Sequence, residues 1–370
     1  MKNLVNLVVG AGLSGATVAR LLADRGEKVL VVDKKPHIAG NSYDYKDENG
    51  ISIHKYGSHI FHTSNVDVWR FVRRFADFNT YFHKVLAVID GIETNIPFNL
   101  DTLYDVFPKN MASRIEERLL LNYEFNQKIP ICDLQRRNDA DLKFLAKYVY
   151  EKVFKTYTEK QWGMELDQLD SLVSARVPVL VGRNSGYFYD TYQGIPLCGY
   201  TELVQRMLDS DNIEVQLNVN ASDIVNTENC SDFKSVYMTS PIDEFFGYKY
   251  GVLPYRSVRF DMITFDKPYY QKNSVVNYPC NYDFTRIHEF KYYLDEKSDK
   301  TVIAKEYSED FELGKNERFY PIPKEENYIL YNKYLEDAEK IGNIKFLGRL
   351  GDYKYYDMDK AIARALEIVK

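Results

Sequence analysis

The spacing of apolar residues changes several times along the chain. Residues 3–9 ("NLVNLVV") read as a strand, 12–25 as a helix, and 28–33 ("KVLVVD") as a second strand. From about 101 to 160 the apolar residues of "DTLYDVF", "SRIEERLLLNYEF" and "DLKFLAKYVYEKVFKTY" recur at three and four. That spacing predicts helices, with Asp101 and Ser113 as N-caps. From about 213 to 307 short β-rich runs dominate: "IEVQLNV", "SVYMTS", "SVRFDMITF" and "TVIAKEYS". Turn residues separate them, which predicts an antiparallel sheet. The C-terminal "KFLGRLGDYKYYDMDKAIARALEIV" reads as a strand, a glycine-bearing loop and an amphipathic helix capped by Asp357 or Asp359. The chain opens and closes with nucleotide-fold signals. The helical and β-rich parts lie between them as insertions.

With 370 residues, 45% hydrophobic and 28% charged, the chain has the make-up of a soluble globular protein of two or three units. A net charge of −6 argues against broad nucleic-acid or anionic-membrane binding, so an anionic substrate needs a local Arg or Lys cluster. Four scattered cysteines, with no CxxC, fit a reducing cytosol without a disulfide framework or redox dithiol. No apolar run reaches transmembrane length. The N-terminal stretch could pass for a signal peptide, but Asn6 and three glycines interrupt it.

"VVGAGLSGATVARLLADRGEKVLVVD" carries more than a bare GxGxxG. Gly10 suits a tight turn, Gly12 lets backbone approach a pyrophosphate, and Gly15 lets helix and strand pack closely. The start of the helix, with Leu13 and Ser14, offers free N–H groups to that pyrophosphate. Asp33 closes the second strand and suits a ribose hydroxyl. The alternative is a glycine turn before an ordinary helix, but strand, helix, strand and acid are all in register. The fingerprint alone leaves NAD and FAD open. A further turn after Lys34, at Gly40–Asn41, resembles the extended motif of FAD proteins, and no second GxGxxG serves a nicotinamide nucleotide.

The stretch "YGSHIFHT" holds His59 and His62 three residues apart. They read as metal ligands, a proton-transfer pair, or packing residues with polar tips. His37, His54 and His83 have no zinc-ligand spacing, which counts against a metal.

Taken together, "HIAGNSYD", "YGSHIFHT", "YTEKQWGM", "YFYDTYQGIPLCGYT", "NYDFTRIHEFK", "YPIP" and "GRLGDYKYYDMD" resemble the bacterial UDP-galactopyranose mutases nearly end to end. The resemblance implies interconversion of UDP-galactopyranose and UDP-galactofuranose through a sugar adduct at N5 of reduced FAD, for galactofuranose-containing glycans. It implies an α/β fold: a Rossmann-like FAD-binding domain (1–77, 196–245 and 318–370), an inserted helical domain (101–172, with a mobile substrate loop about 170–180) and an antiparallel β-sheet domain (78–100, 173–195 and 246–317). On the substrate side it implies that Arg176 and Arg286 hold the diphosphate and serve catalysis. Phe154, Tyr157, Thr158 and Trp162 lie around uracil and sugar; Tyr187, Tyr320 and Tyr355 bond phosphates, with Arg256 nearby. On the cofactor side it implies that His59, Ile60 and His62 lie against the flavin, with Arg349, Tyr355, Asp357 and Met358 approaching the FAD, and that His62 takes part in catalysis. The ordinary readings are helix-core aromatics, for Phe154 above all, surface arginines, and a core His59. An external electron donor, a homodimer and a cytoplasmic location are further expectations.

The chain departs from the family pattern at Ser58 (usually Pro), His83 (usually Asn), Leu180 (usually Arg) and Ala39 (usually Gly). These changes spare the expected grip on UDP and gather near the sugar and loop. Loss of proline at Ser58 is expected to loosen the His59–His62 segment. Other activities stay open: a mutase of UDP-N-acetylgalactopyranose, a flavin oxidase or dehydrogenase on the same fold, or a flavoprotein without chemistry.

Overall fold

A computed structural model describes residues 5–164 and 178–370. The strand Asn6–Val9 is buried throughout and sits at the centre of a five-stranded sheet. The order is Ile213–Leu217, Val29–Asp33, Asn6–Val9, Val236–Met238, Ile344–Phe346, and every pairing is parallel. Both faces are covered, as an all-parallel sheet requires. Val8 faces a core shared with Val18, Ala19 and Leu22 of the helix Leu13–Asp24, Leu203 and Met207 of Tyr200–Leu208, and Ile362 and Ala365 of Met358–Ile368. Leu7 and Val9 face the opposite core, with Tyr331, Tyr334 and Ala338 of Glu325–Ile341. Side-chain alternation along one short strand thus feeds two cores. Gly15 allows the first helix to lie this close: a Cβ there would overlap the carbonyl oxygen of Gly10.

Two of the four β-rich runs that predicted an antiparallel sheet, "IEVQLNV" and "SVYMTS", belong to this parallel sheet instead. Period-2 patterning marks a strand but not its partner, and these partners lie far away in the chain.

A second sheet of seven strands runs Tyr320–Pro321, Tyr255–Phe265, Thr301–Asp310, Arg286–Glu289, Val275–Asn277, Val85–Ile89, Ile92–Ile96. Its longest ladder pairs Arg256 with Asp310 through to Phe265 with Thr301, antiparallel. One pairing, Val275–Asn277 with Val85–Ile89, is parallel, so the sheet is mixed.

The helices Leu100–Val106, Lys109–Asn122, Ile131–Arg136 and Ala140–Val149 bury Leu103, Ile115, Leu119, Leu134, Leu142 and Leu145 in a core that also takes Val85, Ala87 and Ile89 from the mixed sheet. Their caps differ from expectation. Asn99, not Asp101, caps the first helix, in a reciprocal capping box with Thr102. Pro108 opens the second, so Ser113 lies inside it. Asp357 stands at the N-cap of the last helix without a side-chain bond to it. After Val149 the chain winds into a π-helical turn, Tyr150–Lys155, before Thr156–Trp162. Phe154 stays in the helical core, while Trp162 packs with Met164 and Tyr320.

Candidate functional site

A cavity of about 700 Å³ opens at the carboxyl ends of the parallel strands, where open α/β sheets bind ligands. Gly10, Gly12, Leu13, Ser14, Asp33, Lys34, Gly40, Asn41, His59, Arg349, Asp357 and Met358 all line it. Gly12 precedes a twelve-residue helix with no side chain capping its first turn, so those N–H groups are open to an anion. Gly12 and Gly40 face each other across the cavity wall, and a Cβ on Gly12 would come within 3.6 Å of the Gly40 Cα. Asp33 is buried and held in place: one carboxylate oxygen accepts the Ala11 N–H at 2.8 Å and the other the Lys35 N–H at 2.9 Å. A bare helix start, an apposed glycine turn and a fixed acid fit an extended dinucleotide.

Gly15, Ile60, His62 and Tyr355 do not line this cavity. Gly15 acts one layer behind it, and Ile60 belongs to the hydrophobic core. His62 bonds through Nδ1 to Asp190 at 2.8 Å and stacks on Phe188 at 3.6 Å. Phe188 in turn stacks on His83 at 5.5 Å, so the two histidines flank one ring.

His59 Nδ1 lies 2.7 Å from the Gly57 carbonyl, and its backbone N–H donates to Nδ1 of His54 at 3.1 Å. A carbonyl only accepts, so His59 carries its proton on Nδ1. Burial drives its pKa down to about 3, as it does for His54 and His83. Among the described residues no group of three or more His, Cys, Asp or Glu could hold a metal. The expected loosening at Ser58 is not what the structure shows. Its hydroxyl is anchored by His288 Nδ1 at 2.5 Å and by a short bond to the Tyr293 phenol.

Beyond Arg349 lies a second group of polar side chains. The Arg349 guanidinium sits 5.1 Å from the Tyr320 ring and 5.4 Å from Tyr355, and these two rings stack at 5.4 Å. It also donates to the Tyr356 carbonyl at 2.7 Å, so it lines the cavity and supports the aromatic pair at once. Tyr157 is an electrostatic neighbour of Arg286, Glu306, Tyr187 and Tyr320, and burial pushes its phenol well above the ordinary range. Burial does the same for Tyr320. Both are protonated donors near neutral pH, as any phenol is, and burial extends that state into alkali. Arg286 donates through Nε to Glu306 at 2.8 Å. Burial alone would raise the Glu306 pKa, but Arg286 and His288 bring it down to about 2.

Arg256 does not face this group openly. It is 3% exposed, and its guanidinium bonds Asp310, the Gln161 carbonyl at 3.1 Å and Ser308 at 3.1 Å. It holds the end of the helix that carries Tyr157, Thr158 and Trp162. Lys160 ties the same helix down by donating to the carbonyls of Tyr278, Tyr282 and Phe284. Thr158 is buried, and Phe154 is a core residue, in line with its ordinary reading. Tyr187 is half-exposed and packs edge-on to His83 and Phe188. Arg176 and most of the expected loop about 170–180 lie outside the described residues; Leu180 is buried.

Sequence reasoning missed Glu306, His288, Phe188 and Asp190. Glu306 left a trace: it follows Val302 and Ala304 at period two, an acid that continues the apolar start of one strand face. His288 depends on strand pairing, and Phe188 and Asp190 lie in the irregular stretch before Tyr192–Gly194, where only tertiary contact with His62 marks them.

A sequence model of the UDP-galactopyranose mutase family matches residues 152–355, and one of NAD(P)-binding Rossmann-like domains matches 8–75. A protein described as a probable UDP-galactopyranose mutase, from Klebsiella pneumoniae, is 38% identical over 99% of this chain and 94% of its own. A dTDP-fucopyranose mutase from Escherichia coli is 37% identical over 98% of this chain and 96% of its own. In fold, the chain is similar to a crystal structure of reduced UDP-galactopyranose mutase, with TM-score 0.74, 16% identity, and coverage of 99% of this chain and 93% of that one. Among the described residues no helix is long and apolar enough to cross a membrane.

Proposed function

The chain belongs to the UDP-galactopyranose mutase family, an isomerase family, and from that premise we propose that it interconverts the pyranose and furanose forms of UDP-galactose with reduced FAD as cofactor. The observation that carries this reading is the junction at Arg349. One side chain joins a dinucleotide-type cavity to a cluster of Arg286, Tyr157, Tyr320 and Tyr355 suited to a diphosphate. Gly10, Gly12, Leu13, Ser14, Asp33, Gly40 and Asn41 would hold the cofactor, with Arg349, Asp357 and Met358 toward its far end. When bound and reduced, the flavin supplies a nucleophilic ring nitrogen and is not consumed.

The protein's own groups do the rest. Arg286 meets the charge that gathers on the diphosphate as the sugar–phosphate bond breaks, and its permanent charge suits that role. Glu306 holds the guanidinium through Nε, leaving both terminal nitrogens to face an anion. Tyr157 and Tyr320, protonated at neutral pH as phenols are, donate to phosphate oxygens. Neutral His59 adds no positive charge to the cavity wall. Arg176 supplies a second cation from the loop in this reading.

A second reading is favoured by one observation. The relative named for dTDP-fucopyranose is almost as similar as the one named for UDP-galactopyranose. The same cluster would then take a thymidine diphosphate 6-deoxy sugar. Anaerobic incubation of dithionite-reduced protein with UDP-galactofuranose, UDP-N-acetylgalactofuranose and dTDP-fucofuranose, scored by product chromatography, decides between them. Conversion of UDP-galactofuranose only when reduced, with no reductant consumed per turnover, is expected. Equal turnover by oxidised protein, or no turnover of any of the three, overturns the mutase reading.

A further inference from the structure

Ser58, where a proline was expected, begins an uninterrupted row of hydrogen bonds that runs from a half-buried hydroxyl into the buried His288–Glu306 pair. Its hydroxyl lies 2.5 Å from Nδ1 of His288 and takes a short bond from Tyr293. Nε2 of His288 is 2.9 Å from Oε2 of Glu306. Oε1 of Glu306 is 2.8 Å from Nε of Arg286 and 3.0 Å from the Thr285 hydroxyl. Tyr293, His288 and Glu306 are each at most 5% exposed, so their polar atoms depend on one another for partners, while Ser58 at the head of the row is half-buried.

The chemistry of Glu306 sets every direction in the row. As a carboxylate it accepts from Arg286, Thr285 and His288. Burial holds His288 neutral, so it carries its proton on Nε2, and Nδ1 accepts from Ser58. Ser58, having donated, accepts from Tyr293. All the donors point toward Glu306. The opposite tautomer of His288 would set a lone pair against the carboxylate and weaken its hold on Arg286. Of the guanidinium nitrogens of Arg286, only Nε bonds a described residue, so this carboxylate is what aims it.

We propose that Ser58 and His288 are positioning residues for Arg286. Through the tautomer of His288 they keep Glu306 aimed at the arginine. They thereby couple the Gly57–His59 turn, whose His59 lines the dinucleotide cavity, to the cation that receives the diphosphate. The coupling to ligand rests on the mutase reading; the row of bonds does not.

The experiment uses full-length protein labelled with ¹⁵N-histidine, with flavin bound, and compares wild type with Ser58→Ala, Ser58→Thr and Ser58→Cys. Long-range ¹H–¹⁵N spectra report the tautomer of His288, assigned with His288→Gln. Titration with UDP reports the site without turnover. Wild type and Ser58→Thr should show a pure Nε2–H imidazole and equal UDP affinity. Ser58→Ala should show a shifted or mixed tautomer and bind UDP roughly fivefold to tenfold more weakly. Ser58→Cys, a near-isosteric weak donor, should fall between them, and it decides the matter if the alanine variant does not fold. An unchanged spectrum in both variants, or an unchanged UDP Kd beside a changed spectrum, overturns the proposal. If wild type binds no UDP while the spectra change as expected, it is the mutase reading that falls, and the row of bonds stands.

Discussion

The guanidinium of Arg256 occupies the space that a side chain on Gly163 would need. Gly163 ends the helix Thr156–Trp162 in the left-handed conformation, at φ 66°. That helix brings Tyr157 and Trp162 to the polar cluster, so its end is fixed by one glycine and one buried arginine. Gly163→Ala should cost about 1–2 kcal/mol for the backbone alone, and more for displacing Arg256. Urea denaturation measures the cost. KM should rise more than kcat falls, because the helix shifts as a unit with its binding groups. A loss no larger than that backbone cost would show that Arg256 has room to move.

Gly12 and Gly15 belong to one motif but should fail differently. A Cβ on Gly12 meets nothing closer than 3.6 Å, whereas one on Gly15 collides with the Gly10 carbonyl. Gly12→Ala should therefore keep wild-type stability within about 1 kcal/mol and lose flavin, because the backbone can no longer approach the pyrophosphate. Gly15→Ala should lose stability by about 1–3 kcal/mol through overpacking between helix and strand. Apo-protein melting and flavin absorbance separate the two. Full flavin content in Gly12→Ala would move the cofactor away from this turn.

Three histidines should make the protein sensitive to mild acid. Burial first of all holds His54, His59 and His83 at about 3, against 6.5 for an ordinary imidazole. The unfolded chain takes up these protons first, so stability is full above pH 6.5 and falls as pH drops toward 3. His83→Asn removes one such group and should flatten that slope in a series of melting curves. It also removes one face of the His62–Phe188–His83 stack. A changed ratio of kcat/KM for galactose and N-acetylgalactosamine substrates is expected; an unchanged ratio and turnover would make His83 a neutral departure.

Glu306 acts at lower pH. Its folded pKa of about 2 lies below the ordinary 4.5. Its contribution is therefore present above pH 4.5 and lost as pH falls toward 2. That difference corresponds to roughly 3 kcal/mol. Glu306→Gln should be destabilised most above pH 4.5, with the gap to wild type closing in stronger acid. Arg286→Ala should cost several kcal/mol in kcat/KM while keeping flavin, since the diphosphate loses its cation. Near-wild-type kcat/KM would remove Arg286 from the site.

The sequence by itself determined most of the local elements and the glycine turns that line the cavity at the ends of the parallel strands. The fingerprint from Gly10 to Asp33 is contiguous, and each residue in it has a reason that acts within one turn of the chain. Fold class and family were legible for the same cause, through short motifs in order. Tertiary structure decided what pairs across distance. It paired "IEVQLNV" and "SVYMTS" into the parallel sheet, where the resemblance had put 196–245 but alternation alone, which does not name a partner strand, had not. It set Glu306 beside Arg286 by sheet register. It tied Ser58 to His288, 230 residues away, where local reasoning about a lost proline predicted looseness. Backbone preferences act between neighbours in sequence, whereas a half-buried hydroxyl is governed by whichever groups the fold brings to it.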